Sequence, residues 1–362
     1  MIPQVSVVVP IYNVEKWLPA CLDSLLNQTL GNWEAVLVDD GSTDASGQIA
    51  DAYAARDARF KVIHQKNTGL GGARNTGCRH VTGDYLYFLD SDDLLPSYAL
   101  QGMHNIATQA KADMVVGDFY TFIDGQEQME IQKVYPTPAH FTETFAAYPK
   151  IFTWRDLSDN LDLLYLGNYF CVAWAKLFRI ALWKELQCES PENLRMAEDF
   201  IAVKKFAFGA SRITTYPQAA LLYRKRSGSA TTRRTLNTFE VFRAYTHAQS
   251  MFREAGVYDE QYNNIHAFFL HMFIIHMRLF TPQQYWLRFY RQMYAILSTW
   301  DASKLSSPLS EKVLRLQKSP VKMFIRLTLG HYIPRNGIMD IPLKLGYLKK
   351  AVRRKILGSE LE

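Results

Sequence analysis

Five apolar runs of strand length, separated by stretches with helical spacing, fill the first 125 residues of this 362-residue chain. They are VSVVVPIY (5–12), EAVLVDD (34–40), FKVIHQ (60–65), DYLYFLD (84–90) and ADMVVGDFYTF (112–122). EKWLPACLDSLLNQ (15–28) and segments near 44–56, 71–80 and 97–110 lie between them, with helical periodicity. Strands that are apolar on both sides need cover on both faces, and intervening amphipathic helices supply it. The alternation predicts an α/β domain built on a mostly parallel sheet flanked by helices.

In such a sheet, ligands bind outside the carboxyl ends of the strands. Here those ends turn polar: Pro10-Ile11-Tyr12-Asn13, then Asp39-Asp40-Gly41-Ser42-Thr43-Asp44, then NTGLGGARN (67–75), then Asp90-Ser91-Asp92-Asp93. Each has a local structural alternative. Ser42, Thr43 or Asp44 could cap the next helix, and Ser91 to Asp93 could cap the one after Pro96. The glycines of NTGLGG are not spaced as GxGxxG and carry no dinucleotide signature. Together on one sheet edge, these ends point to a binding site. Carboxylates crowded as in YLYFLDSDDLL (85–95) repel unless something positive sits among them. Asp90 and Asp92, with one residue between, are suited to Mg²⁺ or Mn²⁺, hard ions that keep waters and bridge phosphates.

Two later segments add chemistry. Glu198 and Asp199 open the helical stretch AEDFIAVKKFAF, where they could answer the helix dipole or supply a general base. AALLYRKRSGSATTR (219–233) sets Arg224, Arg226, Ser227 and Ser229 on a strand leading into a loop, a set suited to phosphate oxygens or to a solvated basic surface.

VVVPIYN, VDDGSTD, NTGLGGARNTG, YLYFLDSDD, AWAKLFR, AEDF and YRKRSGSATT, in that order, resemble the family 2 glycosyltransferases, the large inverting group with the GT-A fold. The resemblance covers about residues 3–232. It implies that Pro10, Tyr12 and Asp39 line the uracil and ribose pocket of a UDP-sugar, with Arg74 near base and diphosphate. Asp90 and Ser91 fall at the donor, and Asp92 coordinates Mn²⁺ or Mg²⁺. Asp199 is the implied catalytic base, with Glu198 shaping the acceptor site. Arg224, Arg226 and Ser229 hold the diphosphate, and Trp174 and Lys176 lie beside the acceptor cleft. Some members carry a His or Asp metal ligand before the basic loop. Here that place reads Tyr223-Arg224-Lys225-Arg226, which leaves coordination to Asp92 and phosphate oxygens.

The implied activity is hexosyl or N-acetylhexosaminyl transfer from a UDP-sugar to an oligosaccharide or lipid-linked glycan, in bacterial surface polysaccharide synthesis. Sugar-nucleotide nucleotidyl transfer is an alternative, but PIYNVEKW stands where that chemistry needs a glycine-rich loop after the first strand. A non-catalytic sugar-nucleotide scaffold would lack the metal or base carboxylate, and Asp92 and Asp199 are both present.

Three regions are expected: a nucleotide-binding half (1–125), a catalytic and acceptor half (126–232), and a helical region (233–362) ending in a basic amphipathic tail (312–357). From Lys312 onward, 12 Lys or Arg face Asp340, Glu360 and Glu362, a net of +9; with +6 overall, the rest carries −3. That distribution argues against nucleic acid as a partner of the main body. The tail could lie on an anionic bilayer or pack as a solvated basic helix. AFFLHMFIIHMRLF (267–280) is too short and polar to span a membrane, for which about 20 apolar residues are needed. The four cysteines form no CxxC or Cys/His pattern and the first strand follows no leader, so a cytoplasmic protein is expected, peripheral on the inner face of the membrane if the tail binds lipid. The sequence sets no oligomeric state.

Overall fold

The computed structural model describes residues 2–125, 132–133, 151–154, 172–192, 194, 198–226, 236–277 and 281–318. Ser229 and the basic tail beyond residue 318 lie outside the described residues, as does most of 126–171. The chain divides into two compact units, Met1–Ser227 and Gly228–Glu362.

The first unit is an α/β sandwich. Its strands are β1 (Val5–Ile11), β2 (Trp33–Asp39), β3 (Phe60–His64), β4 (Tyr85–Phe88), β5 (Met114–Ile123), β6 (Gln132–Lys133), β7 (Lys176–Arg179) and β8 (Ile213–Lys225). The sheet order is β3-β2-β1-β4-β7-β5-β6, with β8 beside β5. Helices α1 (Leu18–Leu26), α2 (Ser46–Arg56), α3 (Gly69–His80), α4 (Ala99–Ala110), α5 (Ile180–Glu185) and α6 (Glu198–Gly209) cover it.

All seven residues of β1 and of β2 are buried, because the sheet is covered on both faces. Each fully buried Val or Leu contributes roughly 1.5–3 kcal/mol over leaving it exposed. Gly77 lets α3 settle onto β1: a Cβ there would lie 2.3 Å from the Val8 side chain.

β1 pairs in parallel with β2 and β4, and β2 with β3. β7 enters antiparallel between β4 and β5. Two antiparallel steps return β5 to the direction of β4, and β8 runs parallel to β5. The carboxyl ends of β1 to β5 and of β8 therefore share one edge, where Asp39, Asp90, Asp124 and Arg224 stand.

The second unit is helical: α7 (Glu240–Glu254), α8 (Tyr262–Ile275), α9 (Trp286–Leu297) and α10 (Ser307–Lys318). Phe242 packs its ring 4.6 Å from Phe289 and 5.0 Å from Phe273, so the aromatic repeat at three and four spacing forms a core. Among the described residues no helix is long and apolar enough to cross a membrane.

Candidate active site

The acid turn after β4 is clamped on both sides. Leu89 N–H donates to the Val8 carbonyl, and Leu94 exchanges two backbone hydrogen bonds with Leu222 of β8. Three arginines reach the acid turn, two of them through a guanidinium on a carboxylate. Arg74 Nη2 reaches Asp90 Oδ1 at 2.7 Å, and Arg226 Nε reaches Asp92 Oδ2 at 2.8 Å. Arg224 donates through Nε to the Asp92 carbonyl at 2.7 Å and through its backbone N–H to Asp93 Oδ1 at 2.8 Å. Ser91 is buried in the turn.

Compensation is incomplete. Burial, then Asp90, raise the Asp92 carboxyl above its ordinary range despite Arg226. Asp93 is pushed far higher by burial and by both neighbouring acids. Its Oδ2 has no hydrogen-bond partner. Asp93, whose Oδ1 pins the β8 backbone, is a framework group, which separates it from Asp90 and Asp92.

Arg74, on α3, is 2% exposed and joins distant parts of the chain. Besides Asp90, its Nη1 meets Glu198 Oε1 at 3.3 Å and makes a short contact with Asp199 Oδ1. Asp199 Oδ2 accepts the Ala173 N–H at 3.1 Å. Gly71 lets α3 lie close to the segment before α6, since a Cβ there would sit 3.1 Å from Ser190 Cβ and 3.2 Å from the Pro191 carbonyl oxygen. Both acids lie in the first turn of α6. Burial and the adjacent Asp199 push Glu198 well above the carboxylate range. Burial also raises Asp199, with Arg74 opposing. The expectation of Arg74 at base and diphosphate thus meets a guanidinium engaged with three carboxylates, its Nε buried without a partner.

At the other end of the edge, Asp39 is 6% exposed, accepts the Ser42 N–H at 3.0 Å, and shares Oδ2 with His64 Nδ1 at 2.9 Å. Tyr12 is 49% exposed just past β1, while Pro10 is buried within the strand. The neighbouring hydroxyls and acids are scaffolding. Ser46 Oγ accepts the Val14 N–H, Asp44 accepts the Glu15 N–H, and Glu15 accepts the Ala45 N–H. Asp40 takes the N–H groups of Thr68 and Gly69 at 2.8 and 2.9 Å, satisfying the start of α3 from another strand's end.

Trp174 is half-buried, with ring centroids 4.7 Å from Phe119 and 5.9 Å from Tyr223. Lys176 is fully buried, and its Nζ donates to the Trp174 carbonyl at 3.3 Å. Among the described residues no three His, Cys, Asp or Glu side chains gather in an ion-holding group. The sequence reading passed over His64, Trp17 and Asp124, and gave Asp93 to the turn that follows β4. Asp124 was findable, because it ends the fifth strand in FIDG as the other acids end theirs.

The family model Glycosyl transferase family 2 matches residues 6–180. The uncharacterized glycosyltransferase EpsJ of Bacillus subtilis is 35% identical over 231 residues, 64% of this chain and 64% of its own. The glycosyltransferase GlyG of Streptococcus pneumoniae is 34% identical over 226 residues, 62% of this chain and 72% of its own. The chain thus spans somewhat less than two thirds of EpsJ. The crystal structure of S. aureus TarS 1-349 in complex with UDP-GlcNAc superposes with a TM-score of 0.70 at 20% identity, covering 93% of this chain and 95% of that one, a likeness of fold.

Proposed function

The chain belongs to glycosyl transferase family 2, and on that premise we propose that it moves a sugar from a nucleotide-sugar donor to a hydroxyl of a glycan acceptor. The observation that carries this reading is the Arg74 junction. One guanidinium holds Asp90, from the strand-end edge, against Glu198 and Asp199 at the start of α6. Donor-side and acceptor-side acids therefore meet at one place.

The donor is a UDP-sugar, as the family resemblance implies for Pro10, Tyr12 and Asp39, and likeness in fold to TarS, a protein crystallised with UDP-GlcNAc, supports it. The group moved is a hexosyl or N-acetylhexosaminyl unit. Transfer is a single displacement with inversion. The acceptor oxygen attacks the anomeric carbon, its proton passes to Asp199, and the bond to the diphosphate breaks with its electron pair leaving on UDP. Arg74 and the Ala173 N–H fix the Asp199 carboxylate and leave it lone pairs to receive that proton. Glu198 shapes the acceptor side. Arg224 and Arg226, with Ser229, meet the charge on the diphosphate, a preorganised form of stabilisation. Trp174, braced by Phe119 and Tyr223 and by the Lys176 bond to its carbonyl, borders the acceptor cleft.

Asp92 with Asp90 fits Mg²⁺ or Mn²⁺. The donor set is hard carboxylate oxygen, each acid gives one oxygen to an arginine, and burial, then the neighbouring Asp90, raise the Asp92 carboxyl despite Arg226. When bound, such an ion supplies positive charge to the diphosphate.

The acceptor is a lipid-linked glycan of bacterial surface polysaccharide, met at the cytoplasmic face of the membrane. The +9 net charge of the chain from Lys312 onward supports this placement. Sedimentation of the full-length protein with anionic but not neutral vesicles is the expected outcome. A panel of UDP- and GDP-sugars, scored by thermal stabilisation and metal-dependent hydrolysis, tests the donor. Stabilisation by UDP compounds is expected, and its absence from all of them overturns the donor class.

A further inference from the structure

Asp124 closes β5 on the same edge, outside the residues assigned above. Its carboxylate gathers three donors at 3.0 Å each: Lys16 Nζ and Trp17 Nε1 on Oδ2, and Arg224 Nη1 on Oδ1. Burial opposes the charge, yet bonds from Trp17, Lys16 and Arg224 hold Asp124 below the ordinary carboxylate range.

The same tryptophan has a second task. Arg226 lies over the Trp17 ring, 4.0 Å from its centroid, while its Nε binds Asp92. Arg224 is placed likewise, 4.6 Å from the Phe122 centroid, with Nε on the Asp92 carbonyl. Each guanidinium thus has an aromatic face to set its plane and hydrogen bonds to set its rotation. Asp93 already pins the β8 backbone, so Asp124 is not needed to hold the strand. It acts on the arginine side chain. An arginine left loose gives up about 2 kcal/mol of rotamer freedom when a ligand captures it; one already fixed does not.

We infer that Asp124 and Trp17 are positioning residues that hold Arg224 and Arg226 at the acid turn as a preorganised grip for a diphosphate. The inference rests on the reading that these arginines face the donor diphosphate. Lys16, 67% exposed, is a peripheral limb of the network and contributes little.

Calorimetric titration of the full-length protein with UDP, inorganic pyrophosphate and uridine, in Mg²⁺ buffer, tests it. Asp124→Asn is expected to weaken UDP and pyrophosphate about tenfold, the scale of one hydrogen bond to a charged group. Trp17→Phe keeps a ring under Arg226 but loses the N–H, for about threefold, and Trp17→Leu loses both for about tenfold. Asp124→Glu recovers part of the loss, Lys16→Ala changes binding less than about twofold, and uridine affinity stays at the wild-type value throughout. Wild-type diphosphate affinity in Asp124→Asn and Trp17→Leu overturns the inference. So does an equal loss of uridine, which marks a merely structural role. If Asp124→Asn does not fold, Trp17→Phe against Trp17→Leu decides. A wild-type protein that binds pyrophosphate but not UDP sinks the donor reading while the variants still test the grip on pyrophosphate. Binding of neither sinks both.

Discussion

The strand-end edge of the first unit and the core of the helical unit both bury titratable side chains, and they do so in opposite ways. At the edge the buried groups are acids crowded around a cation: Arg74 sits among Asp90, Glu198 and Asp199, and burial raises the carboxyls of Asp92, Asp93, Glu198 and Asp199. In the helical unit the buried groups are the neutral histidines His266 and His276, each 1% exposed. His266 donates from Nδ1 to the Tyr262 carbonyl at 2.6 Å and accepts at Nε2 from the Tyr245 hydroxyl at 3.1 Å. One carbonyl acceptor fixes the tautomer, and both ring nitrogens are satisfied. Negative charge buried in excess of its cations costs stability and is suited to an incoming ligand. A satisfied neutral network serves the fold.

The largest effect expected is on transfer. Asp199→Asn removes the proposed base and lowers turnover about 10²–10⁴-fold, roughly 3–5 kcal/mol, while UDP-sugar binding is kept. Near-normal turnover with intact binding would make the edge an electrostatic framework and erase the contrast. Arg74→Met comes next. It strands the buried Glu198 and the partly buried Asp90 and Asp199, and denaturant unfolding should show a loss of about 3–5 kcal/mol. Stability close to wild type would mean that the acids are protonated or solvated without it.

Strands β1, β2 and β4 and their covering helices are legible because each strand is apolar on both faces. The edge strand β3, with Lys61 and His64 exposed, is legible from its short apolar run. β7 is not. KLFR is four residues long, and its antiparallel place between β4 and β5 is set by pairing with strands far away in the chain. The start of α3 at Gly69 rather than near residue 71 has a similar cause, since Asp40, 29 residues earlier, takes the Gly69 N–H. At the site, the acids are visible in DSDD but their partners are not. The sequence reading supplied a metal ion. The structure supplies Arg74, Arg224 and Arg226, 16 to 134 residues distant from the acids they meet. An arginine's charge can be read in sequence; which carboxylate it reaches is decided by the sheet order.

Acidification separates the two regions. Burial lowers both histidines from 6.5 to about 4. The fold favours their neutral form, so their contribution is complete above the unfolded value and is lost as pH falls from about 6.5 towards 4. Linkage makes this roughly 1.4 kcal/mol per pH unit for each, or about 3 kcal/mol per histidine across the window. The raised carboxyls of the edge have the opposite sign, because protonation there relieves buried charge. Scanning calorimetry from pH 7 to 4.5 should show the helical unit's transition falling faster than that of the α/β unit. Parallel falls would mean that the histidines are hydrated.

The smallest effect sharpens the comparison most, because it removes one hydroxyl and its two hydrogen bonds without changing charge. Tyr245 accepts from Gln249 Nε2 at 2.9 Å and donates to His266 Nε2, so its hydroxyl is the middle link of a buried chain. Tyr245→Phe keeps the ring, which packs 5.1 Å from Phe269 and 6.0 Å from Trp300. It leaves His266 Nε2 without its donor at a cost of about 1–3 kcal/mol. The acid response carries the sharper information. In wild type the Tyr245 hydroxyl donates to the unprotonated nitrogen and favours neutral His266. With that donor gone, protonation forfeits less, and the acid-induced loss in Tyr245→Phe should be shallower than in wild type even though the variant is weaker at pH 7. Stability measured at pH 7 and pH 5 for both proteins checks this: a steeper loss in the variant would mean that burial alone, and not the satisfied network, keeps the histidine neutral.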